Sequence, residues 1–164
     1  MTRTRMSEKF AARWRDGHFD EVLKDSALHE RVCAAVDAPF IRKNGCLLLE
    51  PLIFQATHAD AFPDRTGYEA FINKIHIDDL VEETPESEAQ RLGVLVLQGA
   101  AAALRLAQRL ERECGRFRVL LSLDTDLPAM TLRFFQRRSD EPWGAEDPED
   151  FLLEEVLMID VGPT

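Results

Sequence analysis

The stretch running from Thr84-Pro85 to Gly115 constrains the fold more than any other part of the chain. It offers a capping hydroxyl, then a proline at the first helical position, then acids in the first turn. Gly115 supplies the usual stop. Unbroken, this stretch predicts a helix of roughly 45 Å. On a helical wheel Gly93, Val96, Ala100, Ala103, Leu104 and Ala107 fall on one side, and Arg91, Gln98, Arg105, Arg109, Arg112 and Arg116 on the other. So amphipathic a rod needs a broad apolar surface to lie on. Its small residues allow that surface to approach very closely.

The last third of the chain supplies such a surface. FRVLLSLD puts Phe117, Val119, Leu121 and Leu123 on one side by alternation, MTLRFFQRR does the same with Met130, Leu132 and Phe134, and FLLEEVLMIDV with Leu157, Ile159 and Val161. Period-two alternation predicts half-buried strands. The DTDLPA segment between the first two has turn chemistry. The expectation is an antiparallel C-terminal meander with the long helix across one face.

The first forty residues read as helices. Ser7 stands ahead of Phe10 and Trp14, and Ser26 ahead of Leu28, Val32, Ala35 and Val36, with Pro39 as a terminator. Asn44-Gly45 between short apolar runs predicts an extra hairpin near residues 39-55, which LIFQA could prolong. Tyr68, Phe71, Ile72 and Ile75 have helical spacing, and the period fails at His76, which predicts a helix end or turn over His76 to Asp79. The predicted class is α+β: N-terminal helices and one long amphipathic helix packed on a C-terminal antiparallel meander sheet, a single globular domain over residues 1-164.

Bulk properties narrow the function classes. The chain is 45% hydrophobic and 30% charged, an ordinary globular balance. Its net charge of −10 disfavours nucleic-acid binding, which needs a basic surface. No apolar run approaches the roughly 20 residues that span a bilayer. MTRTRMSEKF has no apolar stretch behind it and is not a secretory signal. Cys33, Cys46 and Cys114 are far apart and form no C-x-x-C, which fits buried, inert thiols in a reducing, cytoplasmic setting. No motif requires a cofactor.

Four constellations stand out. His76, Asp78 and Asp79, with His58, Asp60 and Asp64, have the ligand chemistry of a divalent-metal site; the plainer use of these acids is helix or turn capping. The arginines at 105, 109, 112 and 116 form a helical row suited to phosphates or to an acidic partner. By alternation Arg118, Leu120, Arg133, Phe135, Arg137, Glu154, Val156 and Met158 share the outer face of the strands, and mixed Arg, aromatic and Met surfaces are typical of interfaces. Trp143, in an acidic loop, is the fourth: an anchor for a basic partner or a lid on the sheet. The acids themselves come in blocks, six from Asp78 to Glu88 and nine from Ser139 to the end, both without Lys or Arg.

Together these predict a protein-binding module of adaptor, chaperone-like or immunity type. It would act by charge steering on another, basic protein, with Trp143, Arg118, Arg133, Phe135 and Arg137 as contacts. A homodimer through the small-residue helix face or the outer sheet face is compatible with this. The alternative is a small metal-dependent hydrolase built on His58 and His76.

Overall fold

The computed structural model describes residues 2–18, 27–50, 52, 59–81, 87–124, 126 and 129–163. Strand β1 (Thr2–Met6) is followed by helices α1 (Glu8–Asp16) and α2 (Glu30–Asp37). Strands β2 (Phe40–Lys43) and β3 (Cys46–Leu49) form the predicted hairpin, with Asn44 and Gly45 at positive φ in its turn. Helix α3 (Arg65–Ile72) leads directly into β4 (Lys74–His76). The long helix is α4 (Glu88–Leu110), and β5 (Phe117–Asp124), β6 (Ala129–Gln136) and β7 (Glu155–Val161) complete the chain. The class is α+β, as the sequence predicts.

The order within the sheet differs from a simple meander. Five antiparallel strands lie in the order β1-β7-β5-β6-β4. β5 and β6 are a hairpin, but β7 pairs with β5, not β6. The acidic segment 139–154 therefore carries the chain back across the sheet. The two outer strands come from unexpected places. TRTRM, in a region expected to be helical, pairs with β7, Thr4 opposite Ile159. KIH, expected at a helix end, pairs with β6, Ile75 opposite Leu132. Both are too short for alternation to register, and the neighbouring strand decides their conformation.

One sheet face carries the core. Phe117, Val119, Leu121, Leu123, Met130, Leu132, Phe134, Leu157, Ile159 and Val161 are all buried there with Leu95, Val96, Ala100, Ala103, Leu106 and Ala107 of α4. Close approach centres on Gly99: a Cβ there would collide with Met130 Sδ and lie 2.9 Å from Leu121 Cδ1. Gly93 has no atom within 4 Å of its would-be Cβ, so it is not part of that contact. α4 is shorter than expected, 23 residues or roughly 34 Å. Ser87 caps it by accepting from Gln90 N, and Glu111 ends it before Gly115. Thr84-Pro85, Ser26, most of LIFQA and part of DTDLPA lie outside the described residues.

The polar side of α4 grips α2. Gln98 accepts from His29 N at 2.7 Å and donates to Ala27 O at 3.1 Å, at the start of α2. At the other end Arg109 donates to Val36 O and Ala38 O and lies over the Phe40 ring, and Arg105 makes a two-pronged pair with Asp37. The bonds to His29 N, Val36 O and Ala38 O satisfy backbone groups that a helix terminus leaves unpaired.

Helix α3 joins hairpin to sheet through two buried polar residues one turn apart. Glu69 accepts from Leu47 N and Gln136 N, both at 2.7 Å, and from Arg138. Asn73 accepts from Leu49 N at 3.0 Å and donates to Leu47 O at 2.8 Å and Phe134 O at 3.2 Å. Beyond the short β4, these side chains take the place of a strand between β3 and β6.

Candidate functional site

The outer face of the sheet is the strongest candidate, and the strand register explains its make-up. Pairing places Phe135, Arg118, Asp160 and Arg3 in one row across β6, β5, β7 and β1. The adjacent row holds Lys74, Arg133, Leu120, Met158 and Arg5. One step before β5 begins and after β6 ends, Arg137 N donates to Arg116 O at 2.7 Å, which brings a further pair of arginines side by side. The alternation legible in the sequence thus concentrates arginines on one face of an otherwise acidic protein.

The predicted site residues are present on this face, and the chain's own segment 139–154 covers most of them. Arg118, 1% exposed, is enclosed: Nε donates to Asp160 at 2.7 Å, Nη2 to Glu146 at 2.9 Å and Nη1 to Ala145 O at 3.2 Å. Burial lowers its pKa, but the hydrogen bonds and charges of Asp160 and Glu146 outweigh that, and the net shift is upward. Arg137 shares Glu146 at 2.8 Å, and Arg5 shares Asp160 at 2.8 Å. Asp160 responds oppositely: burial raises its pKa, and the Arg118 hydrogen bond with the charges of Arg118 and Arg137 brings it below the ordinary value. Phe135 is buried under Trp143, ring centroids 4.9 Å apart and edge to face. Trp143 and Phe151 pack on Leu120, Val156 and Met158. Arg133 lies 5.6 Å from the Trp143 ring centroid, its Nε buried and without a hydrogen bond. Desolvation lowers its pKa.

Two expectations need correction here. Arg118 and Phe135 are not exposed contacts, because segment 139–154 occupies the surface they would offer. Trp143 is a lid on the sheet. The small-residue face of α4 is likewise used up within the chain: Ala100 and Ala103 are fully buried against the sheet. Among the described residues the chain itself thus covers the small-residue stripe of α4 and most, not all, of the outer sheet face.

The segment is firmly tied. Glu141 accepts from Arg65 at 2.7 Å and from Thr66 N at 3.0 Å, at the start of α3. Glu146 holds the sheet arginines, and Glu149 accepts from Glu8 N at the start of α1. From this anchored band Leu152 and Leu153 project into solvent, 82% and 88% exposed. Sequence reasoning missed them by reading FLLEEVLMIDV as one strand. The FLL end is a turn, and β7 begins only at Glu155.

Among the described residues, the candidate metal ligands do not gather. Asp64 caps α3, accepting from Gly67 N at 2.6 Å, and Asp78 accepts from Met130 N at 2.9 Å. Asp60 and Asp64 line one cavity, His76 and Asp79 another. His58 lies outside the described residues, and among those described no group of three or more His, Cys, Asp and Glu is placed to hold a metal ion. The arginine row also divides. Arg105 and Arg109 hold α2, while Arg112 and Arg116 lie past the end of α4. The thiols are all free, but only Cys46 is buried, which pushes it up to about 11; Cys114 is exposed.

No described helix is long and apolar enough to cross a membrane. No curated protein and no solved structure matches the chain. A family match covers residues 9–163, from α1 through β7, and on that basis the chain belongs to the Uncharacterized protein PM0498 family.

Proposed function

We propose that this protein is a non-enzymatic binding module of adaptor, chaperone-like or immunity type, working in a reducing cytoplasm on a basic protein partner. The observation that carries the reading is the exposed Leu152–Leu153 pair, displayed on a tethered acidic band. Residues 139–154 contain seven acids and no Lys or Arg. Burying two leucines in a partner's groove contributes roughly 3–6 kcal/mol before the costs of association. The surrounding acids steer a basic partner and reject an acidic one. Because Glu141, Glu146 and Glu149 already fix the band, little ordering is left to oppose binding.

A photo-crosslinker at Glu154 tests this in lysate, with the double variant Leu152→Ser/Leu153→Ser as control. The expected result is a protein adduct that the serine variant loses while its melting temperature stays unchanged. No adduct, or an adduct indifferent to both substitutions, refutes the reading. An adduct of the chain with itself, with a dimer mass by light scattering, replaces the basic partner with a second copy.

A further inference from the structure

We propose that the end of the outer sheet face, around Arg116, Arg137 and Arg3, binds a small oxyanion, a carboxylate or phosphate group carried on a small molecule. Two adjoining cavities of about 210 Å³ each open there, and Arg116 and Arg137 line both. Arg3, Asp160 and Gly162 belong to one cavity; Glu141, Trp143 and Glu146 belong to the other.

The charges do not balance within this site. Its acids are already engaged: Asp160 by Arg5, Arg118 and Arg137, Glu146 by Arg118 and Arg137, and Glu141 by Arg65 and Arg138. The side chains of Arg3 and Arg116 make no hydrogen bond or ion pair among the described residues, although the chain carries a net charge of −10. Two guanidinium groups left without carboxylates in so acidic a molecule leave capacity for an incoming anion. The Glu146 carboxylate, accepting from Arg118 and Arg137 together, shows how this face already receives an oxyanion.

The backbone fixes the position of Arg116. Its carbonyl is bonded to Arg137 N, and Gly115 before it has φ +141°. Across the strand end, Gly162 comes so close that a Cβ would lie 2.5 Å from Gly115 O and 3.1 Å from Arg116 Cα. Only glycine permits this approach, at a φ of +116°. The close approach holds Arg116 beside Arg137 in the lining of both cavities.

The test titrates the intact protein with inorganic phosphate and, separately, with succinate, each against sodium chloride of matched ionic strength. The readouts are intrinsic tryptophan fluorescence, to which Trp143 in the adjoining cavity contributes along with Trp14, and isothermal calorimetry. At least one anion should give a saturable change beyond the chloride control. Arg116→Ala should weaken it tenfold or more, Arg3→Ala should weaken it less, and Arg91→Ala, on α4 away from the cavities, should leave it unchanged. Saturation by phosphate alone assigns a phosphate ligand, and saturation by succinate alone a carboxylate. No saturable response from either, or an unchanged response in Arg116→Ala of native circular dichroism, overturns the proposal. The Leu152→Ser/Leu153→Ser variant should bind the anion as well as the parent, so this proposal and the partner-binding one fail independently.

Discussion

Replacing Asn73 with alanine should cost this protein a large part of its stability. Asn73 is fully buried, and its amide makes three hydrogen bonds to backbone groups, Leu49 N, Leu47 O and Phe134 O. Alanine leaves a donor and two acceptors in a space closed to water. An orphaned buried group costs about 1–3 kcal/mol. Three of them sum to roughly 3–9 kcal/mol, and relaxation with water entry brings the expectation to the lower part, about 3–5 kcal/mol. A domain of this size has only about 5–15 kcal/mol in total. The assay is urea unfolding, where the midpoint should fall with the slope unchanged. Hydrogen exchange supplies the local signature: the Leu47 and Leu49 amides should lose more protection than those of β5. A loss below about 1 kcal/mol, or equal loss of protection in both places, would refute the idea that Asn73 takes the place of a strand between hairpin and sheet.

Three further outcomes follow from the geometry. Gly93→Ala should stabilise by up to about 1 kcal/mol through helix propensity, whereas Gly99→Ala should destabilise by about 1–2 kcal/mol because overpacking against Met130 and Leu121 exceeds that gain; thermal melts of the two variants should move in opposite directions. Asp160 and Glu146 have depressed folded pKa values, burial being outweighed by Arg118 and Arg137, so their stabilisation is complete above the unfolded carboxylate range and is lost as pH falls from about 4 through the folded values. Asp160→Asn should flatten that acid limb in a plot of melting temperature against pH. Under native conditions a thiol reagent should modify Cys114 quickly and Cys46 only on unfolding, read by mass spectrometry of peptides.

The core was legible because it rests on repetition. Every apolar position assigned by alternation in β5, β6 and β7 is buried. The hairpin at Asn44-Gly45 was legible because few residues adopt positive φ at both turn positions. β1 and β4 were not, since TRTRM and KIH are short and polar and become strands only by completing the edges of a sheet already formed. The face carrying Arg118, Arg133, Phe135 and Arg137 was identified correctly, but its state was not. Alternation reports which side a residue faces and says nothing of what covers that side. The acidic loop expected to meet a partner meets Arg118 and Arg137 first.

The class, the buried stripes of α4 and the three long strands, and the segregation of arginines to one sheet face and of acids to the connecting segment can all be read along the chain. These are one-dimensional periodicities, and period alone assigns them. Which arginines are spent depends on the folded arrangement. Gln98, Arg105 and Arg109 hold α2, Arg118 is enclosed by Asp160 and Glu146, and Arg3 and Arg116 are left over. It also decided that Asp64 and Asp78 serve backbone amides and that two leucines stand in solvent. Hydrogen bonds and ion pairs act over a few ångströms between residues as much as 155 positions apart, as Arg5 and Asp160 are. No pattern of neighbours along the chain encodes which of many arginines will meet which acid.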